Sequence, residues 1–179
     1  MRINQNELIA DLEQRTHDNL RKAKKLAELN ESKLNKKPDS ESWSALEAIE
    51  HLNRYGEFYI PEIGKRLKDA KRISSCVTFK SGWLGNKFAK MMLPDAKSMK
   101  TFSSMNPAGS NLDKSVLTTF ITQQQEILDL LDKAKSVNLK KVKTSISISK
   151  WIKLRLGDTL RVVTYHNQRH IQQAERAVG

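Results

Sequence analysis

The sequence has 179 residues and is strongly basic, with 32 Lys and Arg against 20 Asp and Glu and a formal net charge of +12. Its single cysteine, Cys76, excludes an internal disulfide and is typical of a reducing compartment. No apolar run approaches the roughly 20 residues that span a bilayer, and the N-terminus lacks the apolar segment of a secretory signal. We therefore expect a soluble cytoplasmic protein, without a membrane partner, folded as one domain over residues 1–179.

The excess of positive charge raises nucleic-acid binding as one hypothesis. The most one-sided stretch, residues 133–155, has eight Lys and Arg and no acidic residue. It contains a single aromatic residue, Trp151, and shows no spacing suited to base stacking. Because the charge is otherwise dispersed, we interpret it as a lysine-rich surface and do not expect a nucleic-acid partner.

The first half of the chain predicts two long helices. Apolar residues recur at three-to-four spacing over residues 5–29, and a polar loop with Pro38 follows over residues 31–42. Ser44 and Glu47 form a capping box that begins the second helix, and Trp43 can serve as its apolar staple. Pro61 either kinks this helix or begins another.

The second half predicts two more helices behind a long connection. Residues 73–110 are rich in turns, apart from a short amphipathic helix in NKFAKMM. A third helix is expected over residues 112–134 with Ser110 as its N-cap, and a fourth from Asp158, as its cap, to Ala177. The alternating SISIS, residues 145–149, is interpreted as a lone extended segment. Few Gly and Pro and four long helices predict an all-α four-helix bundle, in which the connection between helices 2 and 3 leaves room for a crossover.

Two histidines of the fourth helix lie on one of its faces. His166 and His170 are four residues apart, one helical turn, and can share a metal ion. His51 on the second helix is the candidate for a third ligand, whereas His17 is predicted to lie on the surface. The alternative is a set of hydrogen-bonded histidines without a metal, for which Gln173, Asn53 and Tyr55 would be partners.

Two segments resemble the DinB-like superfamily. WSALEAIEHL, residues 43–52, resembles its W-S-x-x-E-x-x-x-H-L segment, and HNQRHIQQ, residues 166–173, resembles its C-terminal H-x-x-x-H-x-x-Q helix. The resemblance implies a bundle with up-down-down-up connectivity and a homodimer. It also implies a divalent metal such as zinc or nickel held by His51, His166 and His170. Gln173 would lie next to these ligands without binding the metal itself.

The resemblance further implies thiol chemistry, because characterised members include bacillithiol and mycothiol S-transferases and a mycothiol-dependent maleylpyruvate isomerase. We therefore predict a metal-dependent S-transferase that activates a low-molecular-weight thiol for attack on a small-molecule substrate. The alternatives are a metal-dependent hydrolase and a non-catalytic bundle that binds a small ligand or a protein partner.

The sequence offers no clear general base for the hydrolase. Glu47 is engaged in the helix cap. Glu50 is the sequence neighbour of His51 and therefore points to a different side of the helix, and Glu57 is a weak candidate. Arg169 is expected to point away from His170, and Cys76 is interpreted as a loop or small buried residue. The Lys and Arg that would bind the carboxylates of a thiol cofactor are not identified by the sequence.

Overall fold

The computed structural model describes residues 1–73, 77–97 and 100–179. These residues are mostly helical, as the spacing of the apolar side chains predicts. In chain order the described elements are β1 (Arg2–Asn4), α1 (Gln5–Ala27), α2 (Glu31–Asn35), α3 (Ala45–Lys68), β2 (Thr78–Lys80), α4 (Trp83–Met91), a 3-10 turn (Ser103–Met105), α5 (Ser115–Ala134), β3 (Lys143–Ile146), β4 (Ser149–Arg155) and α6 (Leu156–Ala177). No helix among them is both long and apolar enough to cross a membrane.

The four predicted long helices correspond to α1, α3, α5 and α6, and the predicted short helix corresponds to α4. Pro61 lies inside α3, which continues past it without a break. The prediction of an unbroken loop over residues 31–42 was wrong at its start, because the Asn30 side chain accepts the Lys33 amide hydrogen and caps α2.

The predicted starts of the last two long helices were also wrong. Helix α5 begins at Ser115, whose amide donates to Asp113 Oδ1 at 2.8 Å, and Ser110 lies outside it. Helix α6 begins at Leu156, so Asp158 lies within its first turn instead of before it. Asp158 is fully buried and accepts the Gly82 amide hydrogen at 2.8 Å, and it therefore caps α4, not its own helix.

The predicted lone extended segment is in fact half of a hairpin. Strands β3 and β4 pair antiparallel, and a second two-stranded sheet joins β1 to β2. The hairpin is attached to α3 through the Ser145 amide, which donates to Glu62 Oε1 at 2.7 Å, and the Ser147 amide, which donates to the Tyr59 hydroxyl at 3.4 Å.

Helices α1 and α3 each pack against both α5 and α6. Two side-chain pairs with the same sequence offset join α1 to α6: Arg15 Nη1 donates to Gln168 Oε1 at 2.7 Å, and Lys22 pairs with Glu175. The apolar side chains of the interior form two clusters; α1 contributes Leu12 to the first and Ala23 to the second.

A buried polar layer separates the two clusters along the helices. Its members come from all four long helices: Thr16, Asn19, Asn53, Gln123, Gln124, Thr164, His166 and Asn167. Helix α3 also contributes His51, which is 3 % exposed and contacts His166. Polar residues on the buried faces of the four long helices therefore meet at one level of the interior, and the candidate site lies there.

Candidate metal centre

The three predicted histidines lie together between α3 and α6. The Nε2 atoms of His51 and His166 are 3.2 Å apart. The ring centroids are 5.0 Å apart for His51 and His166, 4.7 Å for His51 and His170, and 4.6 Å for His166 and His170. One nitrogen from each ring falls within 4.8 Å of the other two, so three possible ligand atoms surround a common point.

Local structure at the start of α3 positions His51. The Ser44 hydroxyl accepts the Glu47 amide hydrogen at 3.2 Å, and Glu47 Oε2 accepts the Ser44 amide hydrogen at 2.9 Å, which confirms the capping box. Trp43, the residue before the cap, packs its ring 4.8 Å from that of His51 and 6.0 Å from that of His170. The same segment that begins the helix therefore also encloses one side of the histidine cluster.

Hydrogen bonds to oxygen fix the proton on two of the rings. His51 Nδ1 lies 2.7 Å from the Met105 carbonyl oxygen, and His170 Nδ1 lies 2.7 Å from Gln173 Oε1. Both oxygens can only accept, so each Nδ1 carries the hydrogen and each Nε2 keeps a lone pair. This is the arrangement found at metal sites, where the second ring nitrogen of a histidine ligand donates to a carbonyl or carboxylate oxygen.

Burial keeps all three rings uncharged. Desolvation lowers the pKa of His51, lowers that of His166 well below its ordinary value, and lowers that of His170 to about 3. The neighbouring histidines and the Arg169 charge add to the effect on His166 and His170. Neutral imidazole is the form that binds metals, so these rings need not lose a proton on binding at neutral pH.

The donor set fits a divalent transition metal. Tetrahedral zinc with bonds of about 2.0–2.1 Å to nitrogen separates two ligand nitrogens by about 3.3 Å. The 3.2 Å between Nε2 of His51 and Nε2 of His166 is close to that value. Three neutral nitrogens favour zinc or nickel over calcium or magnesium, which prefer oxygen.

The histidines form part of the wall of a cavity of about 710 Å³. Helix α4 contributes Phe88 and Met91 to the wall, the residue after it contributes Met92, and the β3–β4 hairpin contributes Ile146 and Ile148. The lining also includes Glu41, Trp43, Tyr55, Tyr59, Lys100, Phe102, Gln123, Asn167, Arg169 and Gln173. A largely apolar cavity with a few convergent polar groups is typical of a small-molecule site.

The three glutamates considered as general bases lie away from the histidine rings. Glu47 is buried and engaged by the Ser44 amide, the Gly109 amide at 2.9 Å and the Lys37 ammonium at 3.0 Å, which together hold its pKa low. Glu50 pairs with Arg54, and Glu57 is exposed.

The predictions for the remaining residues had different outcomes. His17 is exposed, as predicted, and Asn53 donates to the Val116 carbonyl instead of to a histidine. Arg169, expected to point away, lines the cavity with the histidines. Cys76 lies outside the described residues.

Sequence reasoning missed one hydrogen-bond partner of the histidines, the Met105 carbonyl. This backbone acceptor lies 54 positions from His51 in the connection between α4 and α5, and a backbone carbonyl has no sequence signature. Tyr55, which the sequence offered as a partner of the histidines, lies one turn after His51 on α3 and places its ring 4.8 Å from that of His166.

Comparison with known proteins gives one match. A family model described as the DinB superfamily matches residues 13–174, which is most of the chain and includes the three histidines and Gln173. No significant match to a curated protein or to a solved structure was found. The chain therefore belongs to the DinB superfamily.

Proposed function

We propose that this protein is a metal-dependent enzyme in which His51, His166 and His170 hold a divalent ion, zinc or nickel, that activates a low-molecular-weight thiol for transfer to an electrophilic small molecule. The observation that carries the proposal is the 3.2 Å approach of Nε2 of His51 to Nε2 of His166, next to the His170 ring, at the wall of a cavity of about 710 Å³. The family of the chain supports the metal.

His51, His166 and His170 would hold a divalent ion without neutralising its charge, and the ion would supply the acidity that lowers the pKa of a thiol toward neutral pH. The chain itself supplies orientation. The Met105 carbonyl and Gln173 Oε1 hold the rings of His51 and His170, so that their Nε2 lone pairs are directed before a ligand arrives.

Tyr55 supplies a proton donor next to the three histidines. Burial and the neighbouring Tyr59 raise the pKa of its hydroxyl, so the hydroxyl stays protonated at neutral pH. Its ring is 4.8 Å from that of His166, and it lines the same cavity. We propose that the thiolate sulfur, whose proton has passed to solvent, forms the bond to the electrophilic carbon while the bond to the leaving group breaks. Tyr55 donates a hydrogen bond to the departing anion, which is chloride when the electrophile is an aryl chloride.

Hydrolysis is the alternative, and the distribution of carboxylates favours thiol transfer over it. Water activation in a hydrolase usually employs a general base within hydrogen-bond reach. Glu47 and Glu50 are both committed to other partners. Among the described residues Glu41 is the one carboxylate that lines the cavity, and no hydrogen bond joins it to a histidine ring.

We also propose that the four long helices form one bundle with up-down-down-up connectivity, in a single domain of residues 1–179. The constant offset of the pairs Arg15–Gln168 and Lys22–Glu175 supports parallel α1 and α6. The contacts of Trp43 with His170 and Tyr55 with His166 support antiparallel α3 and α6.

Contacts between α3 and α5 indicate the direction of the remaining long helix, α5. Gly56 lies against the Gln123 side chain, and Gly64 lies nearest to Leu130, so residue numbers increase together along both helices. This supports parallel α3 and α5 and completes the proposed connectivity. A homodimer and a cytoplasmic location remain predictions from the family resemblance and the composition.

Thiol transfer is tested with chain purified without a histidine tag, loaded with Zn²⁺ or Ni²⁺. A panel of thiols that includes bacillithiol and mycothiol is offered with a chromogenic aryl chloride, and the thioether is detected by mass spectrometry. We expect metal-dependent thioether formation that is lost in the double variant His166→Ala/His170→Ala and kept in His17→Ala, which removes an exposed histidine.

Two other outcomes would contradict the proposal. Metal-dependent cleavage of an ester or amide without thiol would identify the hydrolase. Full metal occupancy with no turnover of any pair would favour a non-catalytic binding protein.

A further inference from the structure

Arg169 is an arginine of the cavity wall that has no carboxylate partner among the described residues. Its Nη1 donates to the carbonyl oxygens of Met91 at 3.1 Å and Leu93 at 3.3 Å. Five other arginines form ion pairs: Arg15 with Asp11, Arg21 with Asp18, Arg54 with Glu50, Arg66 with Glu62 and Arg161 with Asp158. Within residues 1–73, 77–97 and 100–179, no such pair involves Arg169.

Arg169 is half-buried and lines the same cavity as His166 and His170. The two described hydrogen bonds use only Nη1, which leaves the donors on Nε and Nη2 for a ligand in this part of the structure. A half-buried guanidinium with spare donors is well suited to binding a carboxylate or another planar acid group.

The cavity as a whole has an excess of positive groups. Among the described lining residues, the charged side chains are Lys100, Arg169 and Glu41. Two cations against one carboxylate attract an anion even before any metal is bound, and partial exclusion of water strengthens that attraction.

The guanidinium adjoins the apolar part of the wall. Arg169 bonds to the Met91 carbonyl at the C-terminal end of α4, and Asp158 bonds to the Gly82 amide at the N-terminal end, so both ends of α4 are attached to α6. Phe88 and Met91 of this helix line the cavity, and methionine adapts readily to ligands of different shape. An anion on Arg169 therefore has an apolar surface next to it.

We propose that this cavity binds an amphipathic acid, whose aromatic or aliphatic body packs on α4 and the β3–β4 hairpin and whose acid group binds the Arg169 guanidinium. Lys100 adds long-range attraction. The inference rests on the proposed function only in taking this acid as the substrate. Recognition of the acid itself requires no metal.

The test compares an acid with its neutral isostere in chelator-treated full-length chain. Calorimetric titrations with 2-naphthoate and 2-naphthamide measure the preference for charge on the same apolar body. We expect naphthoate to bind about tenfold more tightly, as a charge-assisted hydrogen bond to a guanidinium implies. In Arg169→Gln this preference should fall to about twofold or less, while the naphthamide affinity stays unchanged.

Arg176→Gln is the matched control, because it removes one positive charge from an exposed position of the same helix outside the cavity. It should keep the full preference. Arg169→Lys, which retains charge without the planar fork, should keep an intermediate preference and guards against misfolding of the glutamine variant.

Three results would overturn the inference: equal affinity for the two ligands, equal losses in Arg169→Gln and Arg176→Gln, or no binding of either ligand. The same titrations in His166→Ala separate this inference from the proposed function. A preserved preference there, together with no metal uptake by the unaltered chain, would leave the acid site standing while the metal proposal fails.

Discussion

Replacing glycine by alanine is expected to have opposite effects on the free energy of unfolding at two positions, Gly64 and Gly85. In a helix interior, replacing Gly by Ala stabilises by up to about 1 kcal/mol, because Ala loses less backbone entropy on folding. At Gly64 in α3 an added Cβ would meet nothing nearer than Leu130 Cδ2 at 3.7 Å, an ordinary contact. Gly64→Ala should therefore raise the free energy of unfolding by about 0.5–1 kcal/mol.

Gly85 in α4 has no such space. An added Cβ would lie 2.5 Å from both Cβ and Oδ2 of Asp158, and Cβ is fixed by the α6 backbone and cannot rotate away. Overpacking costs about 1–3 kcal/mol, and loss of the charged Asp158–Gly82 hydrogen bond about 1.5–3 kcal/mol more. After the gain in helix propensity, Gly85→Ala should lower the free energy of unfolding by about 2–4 kcal/mol.

Denaturant unfolding of the two variants and the parent chain, followed by far-ultraviolet circular dichroism, measures both changes. The reasoning would be refuted if Gly85→Ala were neutral or stabilising, since α4 would then not rest on Asp158. A destabilised Gly64→Ala would equally show that the space beside Leu130 is absent.

Three further predictions concern the histidines and the cap of α3. In chelator-treated protein, stability should fall as the pH drops below the unfolded-state pKa of about 6.5, because His170 binds its proton in the folded state only near pH 3. His170→Gln should remove about 3 kcal/mol of that loss at about pH 4.5, measured by urea unfolding, and an unchanged pH profile would contradict the burial of a neutral ring. Gln173→Leu should weaken zinc binding by about 10–100-fold in a competition with a chromogenic chelator, whereas His17→Ala should leave it unchanged. Ser44→Ala should cost about 1 kcal/mol of stability by removing the α3 cap, and parent-like unfolding would show that the cap is dispensable.

The helices and the site residues were predictable because their signals are local. The spacing of apolar residues gave the four long helices, the Ser44–Glu47 capping box gave the start of α3, and the four-residue spacing placed His166 and His170 on one face. The helical register offered His51 as the candidate third ligand, and the family resemblance then assigned it to the same ion as that pair, since spacing alone does not say which helices face each other.

What the sequence could not indicate depends on contacts between distant segments. Asp158 resembles an N-cap by its position, yet its carboxylate serves α4 through Gly82, 76 residues away. The hairpin was missed because β4 exposes most of its residues and therefore lacks an alternating pattern. Arg169 was misplaced by an argument about helix angle, which ignores the length of a side chain that reaches the Met91 carbonyl.

The most direct test of the metal centre is metal content and coordination in tag-free protein. We predict about one equivalent of zinc or nickel per chain after reconstitution, with X-ray absorption showing three nitrogen ligands at about 2.0–2.1 Å for zinc, and no uptake by His166→Ala/His170→Ala. Less than about 0.1 equivalent, with no gain on adding either ion, or equal uptake by the double variant, would contradict a metal held by these three histidines.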